Sequence, residues 1–162
     1  MDTKQFRREL HRHPELSFEE HRTAAFISEQ LAALGIEHRP IATTGVLARI
    51  EGRRGNLKRC VVLRADIDAL PIAEKTGVEW ASVVDGVMHG CGHDCHAAVL
   101  FGVLKRLNEN PILRVHCLAC SSLGRSVTQA VRSSCWRRTP SRSMMWRLLL
   151  ASTSMPIWRW VR

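Results

Sequence analysis

The segment Arg59–Ala65 constrains the fold most, because it contains the uninterrupted apolar run Cys60–Leu63. Such runs are typical of a strand buried on both faces, as in a mixed or parallel sheet. Asp66 and Asp68 follow the strand, and its two-residue period places their carboxylates on one face. Ligands of α/β proteins bind at the carboxyl ends of strands. One carboxylate is therefore a metal ligand or a partner of a metal-bound imidazole; alternatively, both are solvated acids or pair with Arg64.

A second stretch, Val87–Leu100, carries the densest group of reactive side chains and reads VMHGCGHDCHAAVL. Cys91 and His93 lie two residues apart beside glycines. Thiolate and imidazole are good ligands for zinc and related metals. If the loop is extended, both side chains point to the same side, so the spacing predicts that they bind one ion. The alternative is a glycine-rich turn before a core helix, in which neither residue binds a metal.

The other apolar patterns predict helices and strands that favour the α/β class with a mixed sheet. Ser17 and Glu20 have the spacing of a capping box, which predicts a helix from Phe18 that stops at Gly35. Further helices are predicted over Thr3–Arg12 and from about Asp94 to Asn108, and further strands over Ile36–Arg39 and Gly45–Ile50.

The charge of the chain is unevenly distributed. A formal net charge of +9 favours nucleic acid or an acidic surface as a partner. However, Ile112–Arg162 holds nine Arg and no Asp, Glu or Lys. Of the 24 basic residues, 15 lie outside this tail, which equals the number of acidic residues, so Met1–Pro111 is neutral. One hypothesis is therefore a non-enzymatic basic module that binds nucleic acid or anionic membrane through the Arg/Trp-rich tail.

The N-terminal residues, the apolar runs and the cysteines give expectations about the cellular compartment. The first residues, MDTKQFRREL, are charged and lack an apolar core, so we expect no secretory signal. No apolar run reaches the length of a membrane span. Six cysteines without a signal peptide favour reduced thiols, and we predict a cytoplasmic protein. Cys117 and Cys120 have the spacing of half a zinc site or a redox pair, but a second such pair is absent.

Four segments resemble those of a known family in order and spacing. They read RRELHRHPELSFEE, TTGV, VVLRADIDALPI and MHGCGHDCHAAVL. On these motifs, Met1–Pro111 resembles the dinuclear metallo-amidohydrolases, which include hippurate hydrolases, aminoacylases and indole-acetyl-amino-acid hydrolases. The resemblance implies the N-terminal part of a zinc-peptidase-like α/β catalytic domain. In the family, that domain carries an inserted lid or dimerisation domain.

The resemblance also implies a site and a cofactor. Cys91 and His93 match metal ligands, and Asp68 matches the active-site aspartate that orients or supports the metal site. His96 and Asp66 belong to the matching motifs, but the resemblance assigns them no role. The family uses two divalent ions (zinc, manganese or cobalt) to hydrolyse the amide bond of a small N-acyl amino acid. It is often dimeric, and we expect neither a specific nucleic-acid partner nor a membrane span.

The resemblance ends at Ile112. The family continues with a segment like Asp-Phe-Glu-Gly-Thr and then Gly-Glu-Glu, whose first glutamate is the general base and whose second is a metal ligand. A Gly-x-His-Val segment then supplies another histidine ligand. None of these segments is present. We therefore expect a chain with an incomplete metal site, without the general-base glutamate, and without activity.

A shifted reading frame explains the departure. When the last base of each codon is joined to the first two of the next, Pro111–His116 permits Asp-Phe-Glu-Gly-Thr. In the same frame, Ser121–Ala130 permits a Gly-Glu-Glu segment and Leu150–Ser154 permits Gly-Gln-His-Val. One base lost across Asn110–Pro111 accounts for all three. We expect residues 1–111 to be the N-terminal part of the catalytic domain, with a sheet that lacks its later strands, and residues 112–162 to be an out-of-frame tail without a domain.

Overall fold

The computed structural model describes residues 1–51, 61–110, 115–119 and 147–150; for the last two ranges, and for Val61 and Val62, it describes the backbone. Cys120 and most of the basic tail, with the Cys-x-x-Cys spacing and the Trp-rich end, therefore lie outside the described residues. In chain order, the described elements are α1 (Thr3–Arg12), α2 (His21–Ala33), β1 (Glu37–Ile41), β2 (Gly45–Ile50), β3 (Val61–Ala65), α3 (His93–Glu109), β4 (Val115–Ala119) and β5 (Arg147–Leu150).

The described strands form one mixed sheet in the order β1-β2-β4-β3-β5. Strands β1 and β2, and β2 and β4, pair antiparallel, whereas β3 pairs in parallel with both β4 and β5. The predicted α/β class with a mixed sheet is confirmed. The expectation that the sheet lacks its later strands is wrong for β3, because β4 and β5 come from the chain after Ile112 and flank it on both sides. A strand left without neighbours exposes its unpaired N–H and C=O groups, and any backbone can supply partners for them.

The helix starts differ in part from the prediction. A capping box is present at α1, where Asp2 accepts from the Gln5 N–H at 2.7 Å and the Gln5 side chain accepts from the Asp2 N–H. The box predicted at Ser17 is wrong: α2 begins at His21, and its cap residue Glu20 makes no side-chain capping bond. The Glu20 carboxylate is fully buried instead and accepts a hydrogen bond from the hydroxyl of Thr44.

The core lies between the helices and the sheet. Helix α2 packs on strands β1 and β2, α3 packs on β2 and β3, and α1 packs on α3. Phe6 of α1 is 1% exposed and stacks on Phe101 of α3 with ring centroids 4.2 Å apart. At Gly102 the two helices approach closely, since an added Cβ would lie 3.1 Å from the Thr3 hydroxyl oxygen. Helix α1 is therefore fixed against α3 along its length. No helix within the described ranges is both long enough and apolar enough to cross a membrane.

Backbone hydrogen bonds bring the end of β3 next to the start of α3. The N–H of Ala69 donates to the carbonyl of Glu15 at 2.8 Å, just after α1. Leu70 and Met88 exchange two hydrogen bonds of 2.9 and 3.1 Å, which close the intervening loop. Three separate segments thus meet beside Asp68, and the residues after Met88 include both predicted metal ligands.

Candidate metal centre

A turn precedes α3 and presents the predicted ligands. The N–H of Gly92 donates to the carbonyl of His89 at 3.4 Å. Gly92 has φ +77, a left-handed conformation that glycine adopts without strain, and α3 starts at the next residue. The segment is turned and not extended, so the strand periodicity on which the shared-ion prediction was argued is not present, and the prediction that Cys91 and His93 bind one ion stays a prediction. Cys91 is exposed, whereas His93 begins the helix and is half-buried.

Asp68 and His93 lie in direct contact. The Nδ1 of His93 is 2.9 Å from the Asp68 carboxylate oxygen Oδ1 and 3.1 Å from the Asp68 carbonyl oxygen. Both oxygens only accept, so Nδ1 carries a proton, and in the neutral tautomer with this proton the lone pair is on Nε2. Metal-binding histidines in proteins are held by carboxylates in this way. The structure brings together Asp68 and His93 as a carboxylate–imidazole pair.

Asp66 has a different partner from Asp68. Its carboxylate pairs with the guanidinium of Arg64, whose side chain is 7% exposed. The two interpretations left open by the sequence therefore apply to different residues: Asp66 forms the ion pair, and Asp68 faces the imidazole.

His89 is a buried imidazole that the sequence analysis did not single out. It is 5% exposed, and neither ring nitrogen makes a hydrogen bond of normal geometry with the described residues. Burial lowers the pKa of His89, with the Asp94 carboxylate acting against this change. The nearby imidazoles of His11 and His93 lower it further. At neutral pH the ring is therefore uncharged, and it lies buried beside the candidate ligands.

His96 lies one turn after His93 on α3. The two rings are 5.8 Å apart, and the buried Nδ1 of His96 has no hydrogen-bond partner among the described residues. The structure therefore places His96 beside His93, near the candidate site.

These donors fit part of a metal site. Thiolate and imidazole groups suit zinc and its neighbours, and Asp68 supplies the carboxylate behind one imidazole. Within the ranges that the structure describes, no group of three or more Cys, His, Asp or Glu side chains is placed to hold a metal ion. The described residues thus include side chains of the types that bind zinc, but they do not form a complete set of metal ligands.

A buried network behind the site was missed by the sequence analysis. His11 of α1 lies 2.7 Å from Asp94 of α3 and 3.1 Å from Glu74. The side chains of Asp94 and Glu74 are 0% and 3% exposed. His11 lies within a quoted motif, but no periodicity or spacing connects residues so far apart along the chain.

Glu74 is expected to contribute to stability in a pH-dependent way. Burial raises the pKa of this carboxyl, but hydrogen bonds from the Ser82 N–H, Thr76 and His11 outweigh burial and lower the pKa from 4.5 to about 2. Since the folded-state value is the lower one, the stabilisation is present above pH 4.5 and is lost as the pH falls toward 2. Glu74→Gln should therefore reduce the free energy of unfolding by about 2 kcal/mol at neutral pH.

Denaturant titrations of the parent and the Glu74→Gln chain between pH 7 and pH 3 check this expectation. The difference between them should shrink steadily below pH 4.5. Glu29→Gln, a change of the same chemistry at an exposed position of α2, is the control and should have little effect. A difference that stays constant with pH would contradict the assignment.

Comparisons with known proteins support the resemblance. Residues 62–115 match Peptidase family M20/M25/M40. The N-acetyl-L-cysteine deacetylase of Bacillus subtilis (strain 168) is 53% identical over 105 residues, which are 64% of this chain and 25% of the relative. The N-acyl-L-amino acid amidohydrolase of Geobacillus stearothermophilus is 49% identical over 105 residues, or 64% of this chain and 28% of the relative.

A solved structure shows the same fold. The Bacillus subtilis YXEP protein, described as a dinuclear metal binding peptidase from the M20 family, has a TM-score of 0.68 and 42% identity. The similar part covers 72% of this chain and 34% of that protein. This chain thus spans about a quarter to a third of the length of these three relatives. Its N-terminal part, which carries the Asp68–His93 pair, is similar to these M20 proteins over that share of their length.

Proposed function

We propose that residues 1–111 come from a metal-dependent hydrolase that cleaves the amide bond of N-acyl amino acids, as hippurate hydrolases do. The observation that carries the proposal is the Asp68–His93 pair at the end of β3, with Cys91 two residues away. The names of the two relatives, a deacetylase of N-acetyl-L-cysteine and an N-acyl-L-amino acid amidohydrolase, support this substrate class.

The described residues have distinct roles in this proposal. His93 offers Nε2 and Cys91 offers its thiolate as ligands. Asp68 holds the proton on Nδ1 of His93 and so fixes the tautomer and the orientation of the ring. A divalent metal, whether zinc, manganese or cobalt, supplies Lewis acidity and lowers the pKa of bound water to about 7 when present. The general-base glutamate that the family resemblance implies has no counterpart in this sequence.

We further propose that residues 112–162 are an out-of-frame tail and that the chain as it stands is inactive. The family match ends at residue 115, close to the inferred junction, and the relatives align over about two thirds of the chain. Strands β4 and β5 come from the tail, but their pairing consists of backbone hydrogen bonds, which depend little on which side chains the strand carries. The proposal therefore divides the chain into residues 1–111, a partial catalytic domain, and residues 112–162, which are no domain.

Metal binding by Cys91 tests the proposed site in the chain itself. Titration with Co²⁺ should produce a thiolate-to-cobalt charge-transfer absorption band in the parent chain, because cobalt is a spectroscopically visible substitute at sites of this donor type. Cys91→Ala should abolish the band. Cys95→Ala removes the other exposed thiol of the same stretch and should leave the band unchanged.

The matched pair of variants makes the result specific. If the band were lost in Cys95→Ala and retained in Cys91→Ala, the thiolate ligand would be Cys95, and the proposed role of Cys91 would be contradicted. A parent chain without any such band would overturn the proposed metal site.

A further inference from the structure

We propose that His11 is a positioning residue for the metal ligand His93, acting through Asp94 at the first turn of α3. The inference rests on the proposed metal site and adds a residue that the family resemblance did not assign. It links helix α1, at the start of the chain, to the helix that carries the ligand.

The ring of His11 is held at both nitrogens. Nδ1 lies 2.7 Å from Oδ2 of Asp94, and Nε2 lies 3.1 Å from Oε1 of Glu74. The pKa of Glu74 is lowered to about 2, so its carboxylate is ionised at neutral pH and only accepts. Each ring nitrogen therefore faces a carboxylate oxygen, and the ring bridges two buried carboxylates. Such a pairing satisfies charges that would otherwise be costly to bury.

Arg7 belongs to the same network and supports Asp94. Its Nε lies 2.8 Å from the Asp94 oxygen that faces His11. Its Nη2 is also 3.1 Å from Nδ1 of His11, but that nitrogen already donates to the nearer carboxylate and cannot accept. Arg7 therefore acts on Asp94 through charge, and two residues one turn apart on α1 hold one carboxylate.

Asp94 transmits this restraint to the start of α3. One of its oxygens faces α1, and the other accepts the N–H of Cys95 at 2.8 Å. The carboxylate is thus tied both to α1 and to the backbone turn that carries His93. Because Asp94 follows His93 directly, fixing Asp94 fixes the backbone from which the ligand side chain extends.

Glu74 holds His11 from the opposite side. It accepts hydrogen bonds from the Ser82 N–H at 2.6 Å and from the Thr76 hydroxyl at 2.5 Å. The same loop is attached to α1 by Arg8, whose guanidinium lies 3.8 Å from the centroid of the Trp80 ring. The loop keeps the His11 ring in the rotamer that faces Asp94.

The test compares two replacements of His11 in the full chain, titrated with Co²⁺ alone. In His11→Asn the amide nitrogen occupies about the position of Nδ1 and keeps a donor toward Asp94. In His11→Gln it occupies about the position of Nε2 and keeps a donor toward Glu74. His11→Gln should weaken Co²⁺ binding about 10-fold or more and alter the d–d absorption bands, as is typical when a partner behind a ligand is lost. His11→Asn should retain most of the affinity and the parent spectrum.

Controls separate positioning from a loss of stability. Ile27→Val lowers core packing on α2, away from the network, and should leave the cobalt spectrum unchanged even though the chain is less stable. Asp94→Asn keeps its acceptor for the Cys95 N–H but removes the acceptor for His11, so it should reproduce the spectral change of His11→Gln. It also serves as the second variant if His11→Gln does not fold.

The outcomes distinguish this inference from the proposed function. A Cys91-dependent band in the parent, together with parent-like affinity and spectrum in folded His11→Gln or Asp94→Asn, would overturn the role of His11 and leave the metal site standing. Equal losses in both His11 variants, in proportion to their stability, would also overturn it. A parent chain without the Cys91-dependent band would overturn the proposed site and this inference together.

Discussion

Phe6→Ala is expected to lower the free energy of unfolding of this chain by about 3–5 kcal/mol, the usual cost of removing a buried phenylalanine side chain. Phe6 is 1% exposed, stacks on Phe101 with an interplanar angle of 4°, and lies 5.2 Å from the Phe26 ring. The deletion removes these ring contacts and leaves a cavity between α1 and α3. Since domains are stable by only about 5–15 kcal/mol, a loss of this size leaves a substantial unfolded fraction.

Urea unfolding followed by circular dichroism measures the loss. Phe18→Ala is the matched control: it deletes the same ring at a position that is 60% exposed, and it should change the free energy of unfolding by less than about 0.5 kcal/mol. If Phe6→Ala cost no more than Phe18→Ala, α1 would not be packed in the core. The result bears on the site as well, because α1 carries both Arg7 and His11.

Local signals predicted several elements well. The helix predicted over Thr3–Arg12 and the strand predicted over Gly45–Ile50 have the observed bounds. Both are specified by near neighbours: the following Pro14 for the helix, and the consecutive apolar residues Val46–Ala48 for the strand. The apolar run before Asp66 likewise predicted an interior strand, and β3 lies inside the mixed sheet.

The predictions that failed depend on long-range contacts. Ser17 and Glu20 have capping-box spacing, but burial of Glu20 beside Thr44 uses its carboxylate elsewhere. The inference that Cys91 and His93 point to one side assumed an extended loop, but the left-handed Gly92 ends a turn there. Tertiary contacts overrode the local pattern in the first case, and glycine's freedom to adopt positive φ allowed two backbone paths in the second.

The site was only partly predictable for the same reason. The strand-end position of Asp68 suggested a partner for an imidazole, and the structure places His93 there at 2.9 Å. The network of His11 with Asp94 and Glu74 joins residues 83 and 63 positions apart in the chain. No periodicity or motif spacing reports such contacts, since they exist only when α1 packs on α3.

The chain as it stands is expected to show no metal-dependent hydrolysis of N-acyl amino acids, whereas restoring the reading frame at Asn110–Pro111 should produce it. The chain lacks the glutamate that the family resemblance assigns as general base, and loss of a general base alone costs about 10²–10⁴-fold in rate. The missing ligands should weaken the metal site in addition. The restored protein should therefore exceed the present chain by at least that factor.

The measurement is release of the amino acid from hippurate and from N-acetylated amino acids, with Zn²⁺, Mn²⁺ or Co²⁺ added and with a chelator as the blank. Cys91→Ala in the restored protein should return hydrolysis to the level of the present chain, because it removes a proposed ligand, while Cys95→Ala should retain activity. Two findings would contradict the proposal: metal-dependent hydrolysis by the unaltered 162-residue chain, or a restored protein without activity on any of these substrates. The first would mean that the described residues and the tail complete a working site by themselves, so the tail could no longer be attributed to a shifted frame.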